Sequence, residues 1–340
     1  MILDGTASAA INTAATALQA GDLVAFPTET VYGLGADAGN DDAVTKIFAA
    51  KGRPSNHPLI VHVDDAEQGT AGVAHFASTV PAFARQLMQA FWPGPLTLIL
   101  PRRAAVGAAA AGGQDSIGLR CPAHPVAQAL LRACRARGVM GLAGPSANQF
   151  GRVSPTTAAH VAGEFGAQLL ILDGGACSVG IESTIVDCTR GRPVLLRPGA
   201  ITPEQIHAAC GQPVLTPEQA EADAPTPRAS GTLEAHYAPK AKVRLMEARA
   251  LQTALKLLGS DIDRAGAPVI AVYARVVLRS KSAQVLTRRM PDDAASTARQ
   301  LFAVLREFDA QGVKLIWVET PPPGADWDAV RDRLQRASAA

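Results

Sequence analysis

The chain is predicted to fold as two α/β units, the first built on a twisted mixed sheet and the second smaller. Three observations carry that prediction. Up to residue 212, predicted strands outnumber helices and several follow one another directly, which argues against a strictly alternating, doubly wound sheet. From Pro213 to Pro239 apolar periodicity stops, and Pro213, Pro217, Pro225 and Pro227 recur with Glu218, Glu221 and Asp223 among them. That composition describes an extended, partly stiff linker. Beyond it an α/β pattern restarts. The expected divisions are 1–212, a linker at 213–241 and 242–340, and 340 residues suffice for two domains.

The elements follow in order. Residues 7–20 are an Ala-rich helix ending at Gly21, and Leu23 to Phe26 is a strand. Asp41 to Ala50 begins with two acids and carries Val44, Ile47 and Phe48 at helical spacing. Leu59 to Val63 is a strand, and Pro81 to Phe91 a helix stopped by Trp92-Pro93-Gly94-Pro95. Leu96 to Leu100 and Ile117 to Cys121 are strands; Val126 to Arg137 is a helix closed by Gly138. Strands at Leu169 to Leu172, Thr184 to Asp187 and Val194 to Arg197 precede a helix from Pro203 to Cys210. After the linker come strands at Val243 to Met246, Val269 to Tyr273 and Leu315 to Val318. Helices are expected at Leu251 to Leu258, Asp292 to Phe308 and Trp327 to Leu334.

Composition narrows the function classes. The chain is 48% hydrophobic and 18% charged, ordinary for a globular protein, and its net charge of +2 does not demand a nucleic-acid partner. Cys121, Cys134, Cys177, Cys188 and Cys210 form no C-x-x-C pair and no zinc-ligand spacing with His, so they read as buried, reduced thiols. The N-terminal residues lack a signal-peptide pattern, and no apolar run reaches membrane-spanning length. A soluble, cytoplasmic protein without membrane contact is expected. No P-loop, G-x-G-x-x-G, G-x-S-x-G or H-E-x-x-H occurs.

What remains is a recurring inventory of Arg, Lys, Ser, Thr and Asn. Lys51-Gly52-Arg53-Pro54 places two cations one residue apart, on the same side of an extended segment. Gly52, Pro54 and Pro58 restrain the backbone there, and a guanidinium beside an ammonium suits phosphate oxygens. Helix-end cations are also commonly solvated, and His62 on a strand also reads as a core histidine. Phe26-Pro27-Thr28-Glu29-Thr30-Val31-Tyr32-Gly33-Leu34-Gly35 sets hydroxyls at a strand end, where a turn and a ligand rim are both possible. Gly144-Pro145-Ser146-Ala147-Asn148 offers small residues that admit a ligand to the backbone. Ser154-Pro155 reads as a helix cap followed by proline, a start that also attracts anions. Arg120 ends a strand as a surface charge or a carboxylate clamp. Ile181 to Asp187, followed by Leu196-Arg197-Pro198-Gly199, repeats hydroxyls and a restrained Arg.

FPTETVYGLG, KGRPSNHPLIVH, GPSANQFGRVSPT, GIESTIVD and LLRPGAIT, in that order, resemble the YrdC-like L-threonylcarbamoyladenylate synthases. Ser230-Gly231-Thr232-Leu233 and His236-Tyr237-Ala238-Pro239 in the linker resemble the long, two-domain version. The resemblance implies a first domain with a concave, basic cavity and a Rossmann-like second domain. It implies synthesis of threonylcarbamoyl-AMP and pyrophosphate from L-threonine, bicarbonate or CO2, and ATP with Mg2+, for N6-threonylcarbamoyladenosine in tRNA. Transfer RNA and other threonylcarbamoylation proteins are the implied partners.

Residue by residue, it implies that Lys51, Arg53, Ser146 and Asn148 surround the nucleotide phosphates. Ser116, Ser154 and Arg197 would also meet ATP, with His57, Ser230, His236 and Tyr237. Thr30, His62, Arg120, Gly144 and Ser183 would hold threonine, and no protein-held metal site is implied. His57 and Ser116 stand where many members carry Asn and Thr. The alternatives are a non-enzymatic YrdC-like protein binding double-stranded or transfer RNA, and a carbamoyl-phosphate-dependent adenylating enzyme. The latter's acylphosphatase and zinc-finger segments are not found in this sequence.

Overall fold

The computed structural model describes residues 1–64, 70–220, 226–258, 269–276, 282 and 284–340. Glu221, Asp223 and Pro225 of the predicted linker lie outside the described residues.

The first unit comprises residues 1–150 and 154–232. Its elements are β1 (Ile2–Asp4), α1 (Ser8–Gln19), β2 (Val24–Phe26), β3 (Gly33–Asp37), α2 (Asp41–Lys51), β4 (Ile60–His62), α3 (Thr70–Phe76) and α4 (Ala82–Phe91). Then come β5 (Leu96–Pro101), β6 (Ser116–Arg120), α5 (Pro125–Arg135), β7 (Leu142–Ala143), α6 (Ala158–Phe165), β8 (Leu170–Asp173), β9 (Thr184–Asp187), β10 (Val194–Arg197) and α7 (Pro203–Cys210).

The ten strands form one mixed sheet in the order β1-β8-β2-β3-β7-β4-β6-β5-β9-β10. Parallel pairs such as β4–β6 and β5–β9 alternate with antiparallel ones such as β2–β3 and β5–β6. Period-2 alternation along β2 sends Val24 and Phe26 to a core with α1 and α5, and Ala25 to the core on the other side. Local chemistry sets the helix ends. Asn40 accepts the Asp42 and Ala43 amides at the start of α2, and Thr202 with Gln205 forms a capping box on α7.

The second unit comprises residues 151–153 and 233–340. It contains β11 (Lys242–Met246), α8 (Ala248–Leu258), β12 (Ile270–Ala274), β13 (Val285–Arg289), α9 (Ala294–Ala310), β14 (Leu315–Glu319) and α10 (Ala325–Ser338). Its four strands run parallel in the order β11-β14-β12-β13. Leu251, Ile270, Val272, Val285 and Trp317 pack on one face. A mixed α/β fold with a large mixed sheet and a smaller parallel one is therefore present. All five cysteines are buried.

Two local expectations need correcting. Lys51 and Arg53 do not stand on an extended segment: Lys51 is the last residue of α2 and Gly52 is its left-handed cap, at φ 61°. A glycine there avoids the strain a Cβ would meet at positive φ. Ser154 is not a helix cap, because α6 begins at Ala158 with Thr157 accepting the His160 amide.

Candidate active site

The α2 terminus delivers Lys51 into the first unit's interior, only 2% exposed. Its Nζ donates to the Ser146 carbonyl at 2.5 Å and to the Asn148 carbonyl. The ammonium thus holds the Gly144-to-Asn148 turn at its backbone. Burial pushes the Lys51 pKa well down, with Arg53 adding to the effect and Glu164 opposing it. An ammonium has three donors, and the turn engages two.

Arg53, also buried, donates to the Pro58 carbonyl at 3.0 Å and to Ser230 Oγ at 3.4 Å. Its guanidinium lies 5.6 Å from the Phe150 ring centroid, and His57 meets the same ring edge-on at 5.6 Å. Partial burial, then Arg53 and Arg228, lower the His57 pKa. Arg197 donates from Nη1 to the Ser230 carbonyl at 2.8 Å, from Nε to the Ser183 carbonyl at 3.0 Å and from Nη2 to Ser183 Oγ at 3.1 Å. Ser183 Oγ is in turn 2.7 Å from Thr97 Oγ1. Ser230 therefore accepts from two buried arginines that are far apart in sequence. Residues 228–232 belong to the first unit, and Arg228 adds bonds to Gln114 and the Gly112 carbonyl.

A second cluster forms around β4 and β6. His62 and Arg120 are register partners on these parallel strands. Arg120 Nη1 donates to Thr30 Oγ1 at 2.8 Å, and Nη2 pairs with Glu29 Oε1 at 2.7 Å. His62 is buried edge-on to Phe26, at 5.6 Å. Burial, reinforced by Arg120, pushes its pKa down to about 3, so the ring is neutral at physiological pH. Gly144 lies against it, because a Cβ there would fall 2.9 Å from His62 Nδ1.

The structure thus joins Lys51, Ser146 and Asn148, then Arg53, Ser230, Arg197 and Ser183, and separately Thr30, Arg120, His62 and Gly144. Ser154 donates to the buried Glu182 carboxylate. Ser116 starts β6, paired with Pro101 at the opposite end from Arg120, and no described contact ties it to these groups. His236 and Tyr237 belong to the second unit. Tyr237 is buried at φ 60°, stacked on Phe302 at 5.5 Å and under the Arg333 guanidinium at 5.3 Å. His236 packs on it at 4.2 Å. Sequence reasoning missed Glu29, Thr28, Thr97 and Glu182 as partners of the candidate residues. A carboxylate beside candidate ligand groups, in Thr28-Glu29-Thr30 and Glu182-Ser183, was the available signal.

Among the described residues no helix is long and apolar enough to cross a membrane. Residues 16–199 match the Sua5_yciO_yrdC family, described as telomere recombination. Residues 201–339 match the family described as threonylcarbamoyl-AMP synthase, C-terminal domain. A Pyrococcus abyssi threonylcarbamoyl-AMP synthase is 37% identical over 338 residues, covering 96% of this chain and 94% of the relative. A Bacillus subtilis threonylcarbamoyl-AMP synthase is 38% identical over 337 residues, covering 96% and 92%. The structure of P. abyssi Sua5 complexed with L-threonine superposes with a TM-score of 0.85 at 36% identity, covering 98% of this chain and 95% of that one. A variant of the same protein with an adjacent His–Tyr pair replaced by alanine superposes at 0.87 and 35% identity, covering 99% and 96%. This chain belongs to the threonylcarbamoyl-AMP synthases, a transferase family, in their two-domain Sua5 form.

Proposed function

We propose that the enzyme joins L-threonine, bicarbonate or CO2, and ATP into threonylcarbamoyl-AMP with release of pyrophosphate, and that threonylcarbamoyl-AMP feeds N6-threonylcarbamoyladenosine formation in tRNA. The observation that carries this reading is a set of buried cations, Lys51 with Arg53 and Arg197 on one hand and Arg120, paired with Glu29, on the other. In this reading the first meets phosphates and the second a carboxylate. Lys51 and Arg53 neutralise the triphosphate, with Ser146, Asn148, Ser154, Arg197, His57 and Ser116 around it. Arg120, Thr30, His62, Gly144 and Ser183 receive threonine, the amino acid with which the P. abyssi relative was solved.

The threonine amine takes up CO2, and a carbamate oxygen then attacks the α-phosphorus as pyrophosphate leaves. Such a displacement requires in-line placement and charge neutralisation rather than a covalent nucleophile. Mg2+ enters on the triphosphate, as part of the substrate.

The linker is proposed to cover the nucleotide. Ser230 already engages Arg53 and Arg197, two groups assigned to phosphates. A cover of this kind protects a mixed anhydride from water. The test is pyrophosphate release that requires threonine, bicarbonate and ATP together. Release independent of threonine would overturn the proposal.

A further inference from the structure

Glu29 lies directly against Arg120. Both side chains are less than one-tenth exposed, and their ion pair is 2.7 Å long. Three contacts fix Glu29: Oε1 to Arg120, Oε2 to the Ala123 amide at 3.0 Å, and its own carbonyl to the Val179 amide at 2.7 Å. Arg120 is held as firmly, since its Nε also donates to the Gly94 carbonyl at 3.3 Å.

Two hydroxyls stand beside the pair. Thr28 Oγ1 donates its single proton to the Val31 carbonyl at 2.6 Å and accepts the Thr30 and Val31 amides at 3.2 Å each. Thr30 Oγ1 lies 2.8 Å from it. One Thr30 Oγ1 lone pair receives Arg120, and the other can accept from a ligand.

The charges give the consequence. Arg120 and Glu29 sum to zero in a buried place, and the adjacent His62 is neutral. A bare carboxylate docked there would carry an uncompensated negative charge out of water, which is costly. A zwitterion brings no net charge, offers its carboxylate to Arg120, and presents an ammonium to Glu29 and to the remaining Thr30 lone pair.

We propose that Glu29 is the specificity-determining residue that makes the Arg120 site select an α-amino acid over a hydroxy acid of the same skeleton. The inference rests on Arg120 being the carboxylate site of the proposed function. The probes are L-threonine and 3-hydroxybutyrate, which is threonine without its amine, titrated calorimetrically into the full-length protein. The wild type should bind the hydroxy acid at least about tenfold more weakly, a difference of ~1.4 kcal/mol. Glu29→Gln should weaken threonine by a similar factor, bring the two affinities within roughly threefold and leave the KM for ATP within about twofold. A purely structural role would instead weaken both probes and ATP alike. Equal wild-type affinities, or an unchanged ratio in Glu29→Gln, would overturn the proposal, and the wild-type comparison decides if the variant does not fold. A wild type that binds no threonine would overturn the assignment of Arg120 as well.

Discussion

Replacing Lys51 by Met removes the buried ammonium while keeping a side chain of similar length. Two of its three donors hold the carbonyls of Ser146 and Asn148, leaving one for a phosphate oxygen. A single charge-assisted hydrogen bond contributes about 1.5–3 kcal/mol, so kcat/KM for ATP should fall about ten- to a hundredfold. Stability should change less. The two carbonyls lose a partner, but the cost of burying a charge disappears as well, and these opposing effects leave a net change within about 2 kcal/mol. Pyrophosphate release would be followed against ATP concentration at saturating threonine and bicarbonate, with urea unfolding as the control. The depressed pKa of Lys51 adds a signature. Below that pKa the ammonium is charged and, in the proposed role, grips phosphate; above it the amine is neutral. The wild-type KM for ATP should therefore rise as pH climbs through a value below the ordinary 10.5, and Lys51→Met should lack that rise. Wild-type kcat/KM in a well-folded Lys51→Met protein would refute the phosphate role.

Other perturbations read other parts of the molecule. Arg120→Lys retains charge but loses the planar fork, so threonine affinity should fall at least about tenfold with ATP little changed; equal loss of both in substrate kinetics would contradict the assignment. His62 has a pKa depressed from 6.5 to about 3, so the unfolded chain takes up its proton first. Its contribution to stability is present above pH 6.5 and is lost as pH falls toward 3, at about 1.4 kcal/mol per unit. His62→Asn should show a shallower acid slope than the wild type in urea midpoints, and parallel slopes would refute this. Tyr237→Ala removes a buried ring stacked on Phe302 and should cost about 3 kcal/mol in denaturant unfolding, whereas Tyr237→Phe keeps the ring and costs less; equal losses would show that the hydroxyl, not the stack, matters.

Much of the fold was legible in the sequence because local signals agreed with it. Pro203 to Cys210 is read as a helix over the same residues the structure gives, where Thr202 and Gln205 supply a capping box. Thr184 to Asp187 likewise reads as β9. Elements that depend on distant partners were not read. Gly33 to Asp37 looks like a glycine turn, yet forms β3 by pairing with β2 and β7. β1 and β7 are only three and two residues long, too short for period-2 alternation to register. The linker's proline pattern was visible, but not that residues 228–232 pack with the first unit through Gln114, Arg53 and Arg197.

The site divides in the same way. Lys51, Arg53, Arg120 and Ser146 stood out in the sequence as candidates by residue type. Their partners did not, because the contacts of Glu29 with Arg120 and of Ser183 with Arg197 span 91 and 14 positions. Only the folded sheet brings them together.

The most direct test of the central claim uses radiolabelled bicarbonate with the full-length enzyme, MgATP and L-threonine, following label into an AMP adduct alongside pyrophosphate. The account predicts one pyrophosphate per labelled adduct, with both products lost when threonine is omitted. Pyrophosphate formed at the same rate without threonine, or with no label in the adduct, would contradict it.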